Sequence, residues 1–543
     1  GMRTMLSKYS LFYSAFFSVS GLFGQDLILN NESITLSGTH YYENVRLLNN
    51  SILYVTDSVD LFVQDTLYID ATSQINANGT GDNSQGSGGF GGHNACGGGA
   101  GHGGAGGMGG DYSNNNNGGS GGNSYGDSIL VEDGSIGGDG NWNSNISAKG
   151  RDGGGRIYIE SSYSEILGDI FSNGIDGSSS SFYGGGGGGG SGGGISLISN
   201  IIDLTGLIEA KGGNGGSGLN CTGGGGGGGR IYIKTNSTHD FRNNLILTGG
   251  SGYESGKDGQ YLVESAYTGT AFAISGNNVT TQTINITDTG TISDINVVMS
   301  GSTTGSTAYF DITLQSPYGT IVPLTNLNSM SGNSFSSTTF DDEASTKITS
   351  GSAPYLGTFQ PESFLSAFDK EEMKGVWTIV VYNSQGFVSE ISAWSLQITY
   401  DSSTPDSPPS QPGTTYSSTA LTISPNNTTT KTLNITDTGT VIDVNVLMSG
   451  NTTGSLGYLN ISLKSPQGSY VNLSTTDSWS GNAFYKTNFD DDATVHISDG
   501  SPPYFGKFKS QFKDSNSSNK TLDDLKGESL KGDWDLNVYH SQG

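Results

Sequence analysis

The chain has 543 residues, of which 32% are apolar, 88 are Gly and only 12 are Pro. Any core is therefore expected to be thin or locally concentrated, and the missing third-residue glycine period excludes collagen. A formal charge of −27, with no offsetting stripe of Lys or Arg, sets it against nucleic acid and anionic lipid as partners.

The N-terminus, GMRTMLSKYSLFYSAFFSVSGLFGQ, has a basic start at Arg3 and Lys8, an apolar run over 11–19 and small residues before Gln25. This is the pattern of a secretory signal, expected at 1–24, and its run is shorter than the ~20 residues a membrane span needs. A secreted or cell-surface location follows, with no transmembrane anchor. Export also permits a disulfide between Cys96 and Cys221. Sequons begin at Asn145, Asn285 and Asn434, as a chain rich in Asn, Ser and Thr produces by composition.

The segment 25–270 is glycine-rich, yet the residues between its glycine runs repeat. GRIYIES (155–161), GGISLIS (193–199) and GRIYIKT (229–235) place Ile157, Ile195 and Ile231 at matching points. Each is followed by a second strand-like piece: ILGDIFSNG, LTGLIEAKG and NNLILTGGS, with LYIDATSQINANG upstream. Apolar residues alternating at period two in recurring register predict half-buried strands of a parallel β-solenoid, in which each repeat covers its neighbour. Gly is expected at tight corners that need positive φ, and the long glycine runs as crowded turns or projecting loops. Neither a nucleotide loop nor zinc is expected: no Gly-Lys-Ser/Thr follows the glycine runs, and His93 and His102 flank Cys96 without a fourth ligand.

From 271 the sequence is duplicated. INITDTGTISDINVVMSGSTTGS (284–306) matches LNITDTGTVIDVNVLMSGNTTGS (433–455), and the same offset of 149 relates QSPYGT to KSPQGS, FDDEA to FDDDA and GSAPYLGTF to GSPPYFGKF. After an insertion around 515–520, KGVWTIVVYNSQG pairs with KGDWDLNVYHSQG. Two antiparallel β-sandwiches are predicted, at 271–402 and 421–543, joined by an extended Pro- and Ser-rich linker, 403–420. The whole chain reads as all-β. Trp377 and Trp534, each opening an alternating strand, are expected in the cores. The second copy stops at HSQG where the first continues FVSEISAWSLQITY, so the sequence is expected to be part of a longer chain.

The order DINVVM, FDITLQSPYGT, TTFDDEA, GVWTIVVYNSQG and WSLQITY resembles the P domain, or P/Homo B domain, of kexin-like and subtilisin-family proprotein convertases. The resemblance implies a jelly-roll sandwich that accompanies and stabilises a serine peptidase domain. STTGSTAY (302–309) stands where that family carries a histidine and an acidic residue. None of the six histidines lies in a subtilisin-like context, and no Gly-Thr-Ser-Met-Ala segment occurs. The expected function is therefore non-catalytic: a surface or matrix protein for display and adhesion, toward an extracellular protein, a glycan or a matrix surface. The alternative is an ancillary region of a secreted subtilisin-like serine endopeptidase.

Each copy places three carboxylates after a Phe. Clustered hard oxygen ligands on a loop suit Ca²⁺, which is expected at Asp341 and Asp342 and at Asp490 and Asp491, with Glu343 and Asp492 auxiliary. A solvated acidic turn is the other reading the residues allow.

Overall fold

The computed structural model describes residues 24–112, 117–181, 183–219, 221–237, 240–409, 413–510 and 520–542. The expected export signal lies outside them except for Gly24, as does most of the insertion around 515–520. The described chain is all-β. Among the described residues no helix is long and apolar enough to cross a membrane.

The repeating strands of the first half stack in parallel. Ile52–Ile69, Arg156–Ile166, Gly194–Leu204, Arg230–Lys234 and Gln260–Gly269 pair in that order, with Val59, Ile157, Ile195, Ile231 and Tyr261 on successive rungs. A second parallel ladder runs through Gln74–Asn76, Asp169–Phe171, Ile208–Glu209 and Leu245–Ile246. Alternation explains both: Ile157 and Ile159 point into the core and are fully buried, while Tyr158 and Glu160 stand on the other face. Each buried Ile contributes about 1.5–3 kcal/mol of transfer free energy.

The glycine runs are neither positive-φ corners nor free loops. Among the described glycines of this half only Gly38, Gly79 and Gly126 have positive φ; the other positive-φ positions are Asn, Asp or Ser, as at Asn49, Asp57 and Asn143. The runs instead leave the second ladder and return to the next rung of the first as extended segments, and their hydrogen bonds repeat every third residue. The N–H groups of Gly187 and Gly190 donate to Ser178 and Ile175, those of Gly188 and Ser191 to Gly138 and Ser135, and those of Gly189 and Gly192 to Gly224 and Gly227. Three residues per turn, with no bonds inside a single leg of the excursion, is polyproline-II geometry. Each returning leg thus bonds three others, one of them the outgoing leg of its own excursion. The bonds satisfy the backbone in a region where side chains supply little, and they bring chains so close that a Cβ has no room. One placed on Gly188 would overlap the Gly98 carbonyl, and one on Gly99 the Gly225 carbonyl. The disulfide Cys96–Cys221 ties two of these excursions together across 125 residues.

In each duplicated copy a four-stranded antiparallel sheet faces a second sheet. In the first copy the four strands run Asn278–Ile286, Gly375–Asn383, Phe310–Gln315, Ile321–Thr325, and in the second Thr428–Ile435, Gly532–His540, Leu459–Lys464, Tyr470–Ser474. The facing sheets differ. In the first copy Ser389–Asp401 pairs with Thr291–Thr303 on one side and with Gln260–Gly269, the last rung of the glycine-rich half, on the other. One strand therefore belongs to both halves, and one buried cluster runs from Leu29 to Tyr400. The second copy has its own core and no strand beyond Val446–Asn451 among the described residues, leaving Leu447 exposed.

Trp377 and Trp534 are buried, and their indole N–H groups donate to the Met373 and Leu530 carbonyls at 2.9 Å in both copies. The 403–420 segment is less free than an unpacked linker. Thr291 donates to the Ser403 carbonyl, Asp406 N–H to Lys370 O, and Tyr416 packs against the second core with its hydroxyl on Asp437.

Candidate functional site

The acidic loops are fixed by the strands before them. Phe340 and Phe489 end Ser334–Phe340 and Ala483–Phe489 with fully buried rings, so the carboxylates that follow begin at the sheet edge. Asp341 N–H donates to the Phe359 carbonyl and Asp490 N–H to that of Phe508, both at 2.9 Å. Each carboxylate then turns back on its own loop: Asp341 accepts from Glu343 N–H at 2.8 Å, and Asp490 from Asp492 N–H at 2.9 Å.

The second carboxylate of each loop reaches a short 3₁₀ segment. Both oxygens of Asp342 accept from backbone, Leu365 and Ser366 N–H at 2.8 Å each, at the start of Leu365–Phe368. Asp491 reaches Leu522–Leu525 through one backbone bond, accepting from Asp523 N–H at 2.8 Å. Orphan N–H groups at a helical start are costly when unpaired, and these two acids satisfy them.

Two further acids converge on the first loop. Asp294, on Thr291–Thr303, has its carboxyl pushed up to about 7 by burial and then by the charges of Glu343, Asp341 and Asp369. The second copy resolves the same crowding differently. Lys526 stands where the first copy has Asp369, and Lys507 where it has Thr358. Lys507 Nζ lies 2.9 Å from Asp490. Burial raises the Asp490 carboxyl, but the Lys507 hydrogen bond, the Asp492 N–H and the Lys507 charge outweigh it and hold the group below its ordinary range. Lys526 bonds Asp523 at 2.5 Å, and its ammonium is pushed up by that bond and by the charges of Asp523, Asp443 and Asp492.

The structure therefore brings Asp341 and Glu343 together with Asp294 and Asp369, which sequence reasoning passed over. It turns Asp342 and Asp491 toward backbone. Among the described residues no three His, Cys, Asp or Glu side chains converge as ready ligands for a metal ion. Two other acids went unnoticed: Glu371 and Glu528 accept from Thr320 and Ser469, clamping the Ser-Pro-x-Gly turns of the two copies. In the glycine-rich half Cys96 is in the disulfide. His102 is fully buried beside it in sequence, with Nδ1 2.9 Å from the Gly192 carbonyl and its pKa lowered to about 4 by burial.

The strands and loops around Asp294, Asp341 and Trp377 lie inside one recognised segment. Residues 293–398 match the proprotein convertase P-domain family. The match begins just before Asp294 and ends within the strand shared with the glycine-rich half. No curated protein and no solved structure matches the chain.

Proposed function

We propose that the chain is an exported, non-catalytic display protein. A glycine-rich β-solenoid over 25–270 would present its surface for adhesion. Two P-domain-like jelly-roll sandwiches, 271–402 and 421–543, would follow, joined through 403–420. The observation that carries this reading is the shared Ser389–Asp401 strand. The resemblance implies that a P domain supports a neighbouring domain, and the neighbour this one is built onto is the glycine-rich half. The duplicate copy supports a second P-domain-like module through its matching strand order and its matching Trp and Asp hydrogen bonds.

The ancillary-peptidase reading is favoured by the family match at 293–398. A single comparison separates the two. The purified chain is treated with a fluorophosphonate probe for nucleophilic serine and, in parallel, tested for retention on immobilised extracellular-matrix proteins and glycans. Display gives retention without labelling; labelling would overturn it.

Calcium belongs to this proposal through the first copy. Asp294, Asp341, Glu343 and Asp369 crowd negative charge that a hard cation would relieve. In the second copy Lys507 and Lys526 supply positive charge beside Asp490 and Asp492. Asp342 and Asp491 would shape the loops rather than complete a shell. Calcium should then raise the melting temperature of wild type relative to chelator, and do so no longer after Asp369→Lys. Equal melting in calcium and chelator would leave the loop without a cation.

A further inference from the structure

The extended glycine segments run out from the ladder and back, so their midpoints gather at one end. The 172–193, 210–229 and 247–259 excursions turn near Tyr183, Leu219 and Tyr253, and the hairpin Gly140–Trp142/Asn145–Ala148 turns at Asn143 and Ser144. The parallel bonds from Gly189 to Gly224 and from Gly192 to Gly227 keep two of these excursions in step. Tyr183, Leu219 and Tyr253 are each about 60% exposed on a chain whose apolar residues are otherwise mostly interior. The backbone beneath them is tied by hydrogen bonds between the runs and by Cys96–Cys221, so this end is a braced platform with two Tyr and one Leu at its tips.

Between two of the tips lies a cleft of about 490 Å³. Trp142 and Tyr183 form one wall as a stacked pair, with ring centroids 5.7 Å apart and planes 28° from parallel. Asn143, Asn145, Ser147 and Ser181 complete it, and none of its lining side chains is charged. The frame is set by backbone: Ser180 N–H donates to Ser217 O at 2.8 Å, Ser147 Oγ to Gly185 O at 2.8 Å, and Asn143 N–H to Asn94 Oδ1 at 2.9 Å. Among the described residues the Asn143 amide makes no side-chain hydrogen bond, so it is available to a ligand.

We propose that this cleft binds a neutral saccharide, with one sugar ring lying on the Trp142/Tyr183 pair and its hydroxyls bonded by Asn143, Asn145 and the neighbouring serines. A pyranose has an apolar C–H face and a rim of hydroxyls that both donate and accept, which is the complement of an aromatic wall beside amides and hydroxyls. The cleft volume suits one or two sugar units, and convergent polar groups on a largely preformed frame are what such a site needs. The absence of a cation in the lining, on a chain of −27, excludes uronates and sialylated or phosphorylated sugars. Tips rich in Tyr, Asn and Ser supply rigid contact area and adaptable hydrogen bonds together.

This inference deepens the display reading and rests on it for its biological sense. The test uses the full disulfide-bonded chain from a bacterial host, so that Asn145 of Asn145-Ile146-Ser147 carries no glycan. Saturation-transfer NMR and calorimetry are run with neutral oligosaccharides of glucose, mannose, galactose and N-acetylglucosamine, and with an oligogalacturonate. At least one neutral probe should bind with a Kd in the millimolar range or tighter and weaken tenfold or more in Trp142→Ala and in Tyr183→Ala, with Trp142→Phe retaining most of the affinity. An unchanged melting transition shows that the variants are folded, and Tyr183→Ala serves if Trp142→Ala is not. No binding by any neutral probe, unchanged binding in the folded variants, or preference for the oligogalacturonate would each overturn the proposal. Retention on matrix proteins without saccharide binding would sink the cleft and leave display standing, whereas fluorophosphonate labelling with intact saccharide binding would do the reverse.

Discussion

Replacing Asp294 by Asn should stabilise the first sandwich at neutral and alkaline pH and flatten its pH dependence. In the folded chain the Asp294 carboxyl sits at about 7, raised by burial and by Glu343, Asp341 and Asp369, whereas in the unfolded chain it returns to near 3.9. Between those values the folded state holds a proton that the unfolded state has released. Stability is therefore fully present below about pH 4 and falls as pH rises through about 7. Three pH units at 1.36 kcal/mol each set a ceiling of about 4 kcal/mol at pH 8, and relaxation around a partly buried group will lower it. Asp369→Lys, which installs the second copy's residue, removes one repelling charge but leaves burial, so roughly 1–2 kcal/mol is expected from it. Asp311, also at about 7 through burial, titrates in the same window. The series is best read in an Asp311→Asn background, the residue the second copy carries as Asn460. The assay is guanidinium unfolding of the full chain from pH 4.5 to 8.5, followed by tryptophan fluorescence, since Trp377 and Trp394 are buried in this core. The reasoning fails if Asp311→Asn protein is equally stable at pH 5 and 8, or if adding Asp294→Asn changes nothing at pH 8.

Gly188→Ala should disrupt the glycine bundle and lower the melting temperature sharply, because its Cβ would overlap the Gly98 carbonyl, whereas Gly439→Ala meets only a Leu530 methyl at 3.9 Å and should be nearly silent. Replacing Cys96 and Cys221 by Ser opens a loop of 125 residues, for which chain entropy gives about 5 kcal/mol, readable as a lower denaturation midpoint that reducing agent reproduces in wild type. A peptide with the sequence of Ser389–Asp401 should bind the free side of Val446–Asn451 and raise the second sandwich's melting temperature, because that strand occupies the matching edge in the first copy. No shift at saturating peptide would show the edge to be closed.

The ladder was legible in the sequence because Ile157, Ile195 and Ile231 carry the period-two pattern on both sides of each glycine run, and burial acts on side chains that a sequence displays. The glycine bundle was not. Glycine has no side chain to mark a face, and the three-residue period appears only in bonds between runs as distant as Gly97 and Gly186. Positive φ is the usual reason for Gly; here the reason is the missing Cβ. The FDD loops were found, but the jobs of their carboxylates were not, since Asp342 and Asp491 answer N–H groups that exist only once Leu365–Phe368 and Leu522–Leu525 have folded. Asp294 and Asp369 reach the loop from far along the chain. The available signals were the exchanges of Asp369 for Lys526 and of Thr358 for Lys507 between the two copies. The tie between the halves could not be foreseen from AWSLQITY alone, because an alternating strand does not declare that both its edges are taken.

If the glycine-rich half is a folded body continuous with the 293–398 segment, amide hydrogen exchange on the full chain will report it. Ile157, Ile195 and Ile231, the Gly187–Gly192 run and the Ser389–Asp401 strand should be protected together, to a similar opening free energy. Fast exchange throughout 150–260 beside a protected 293–398 would contradict it, leaving a P domain on a glycine-rich tether.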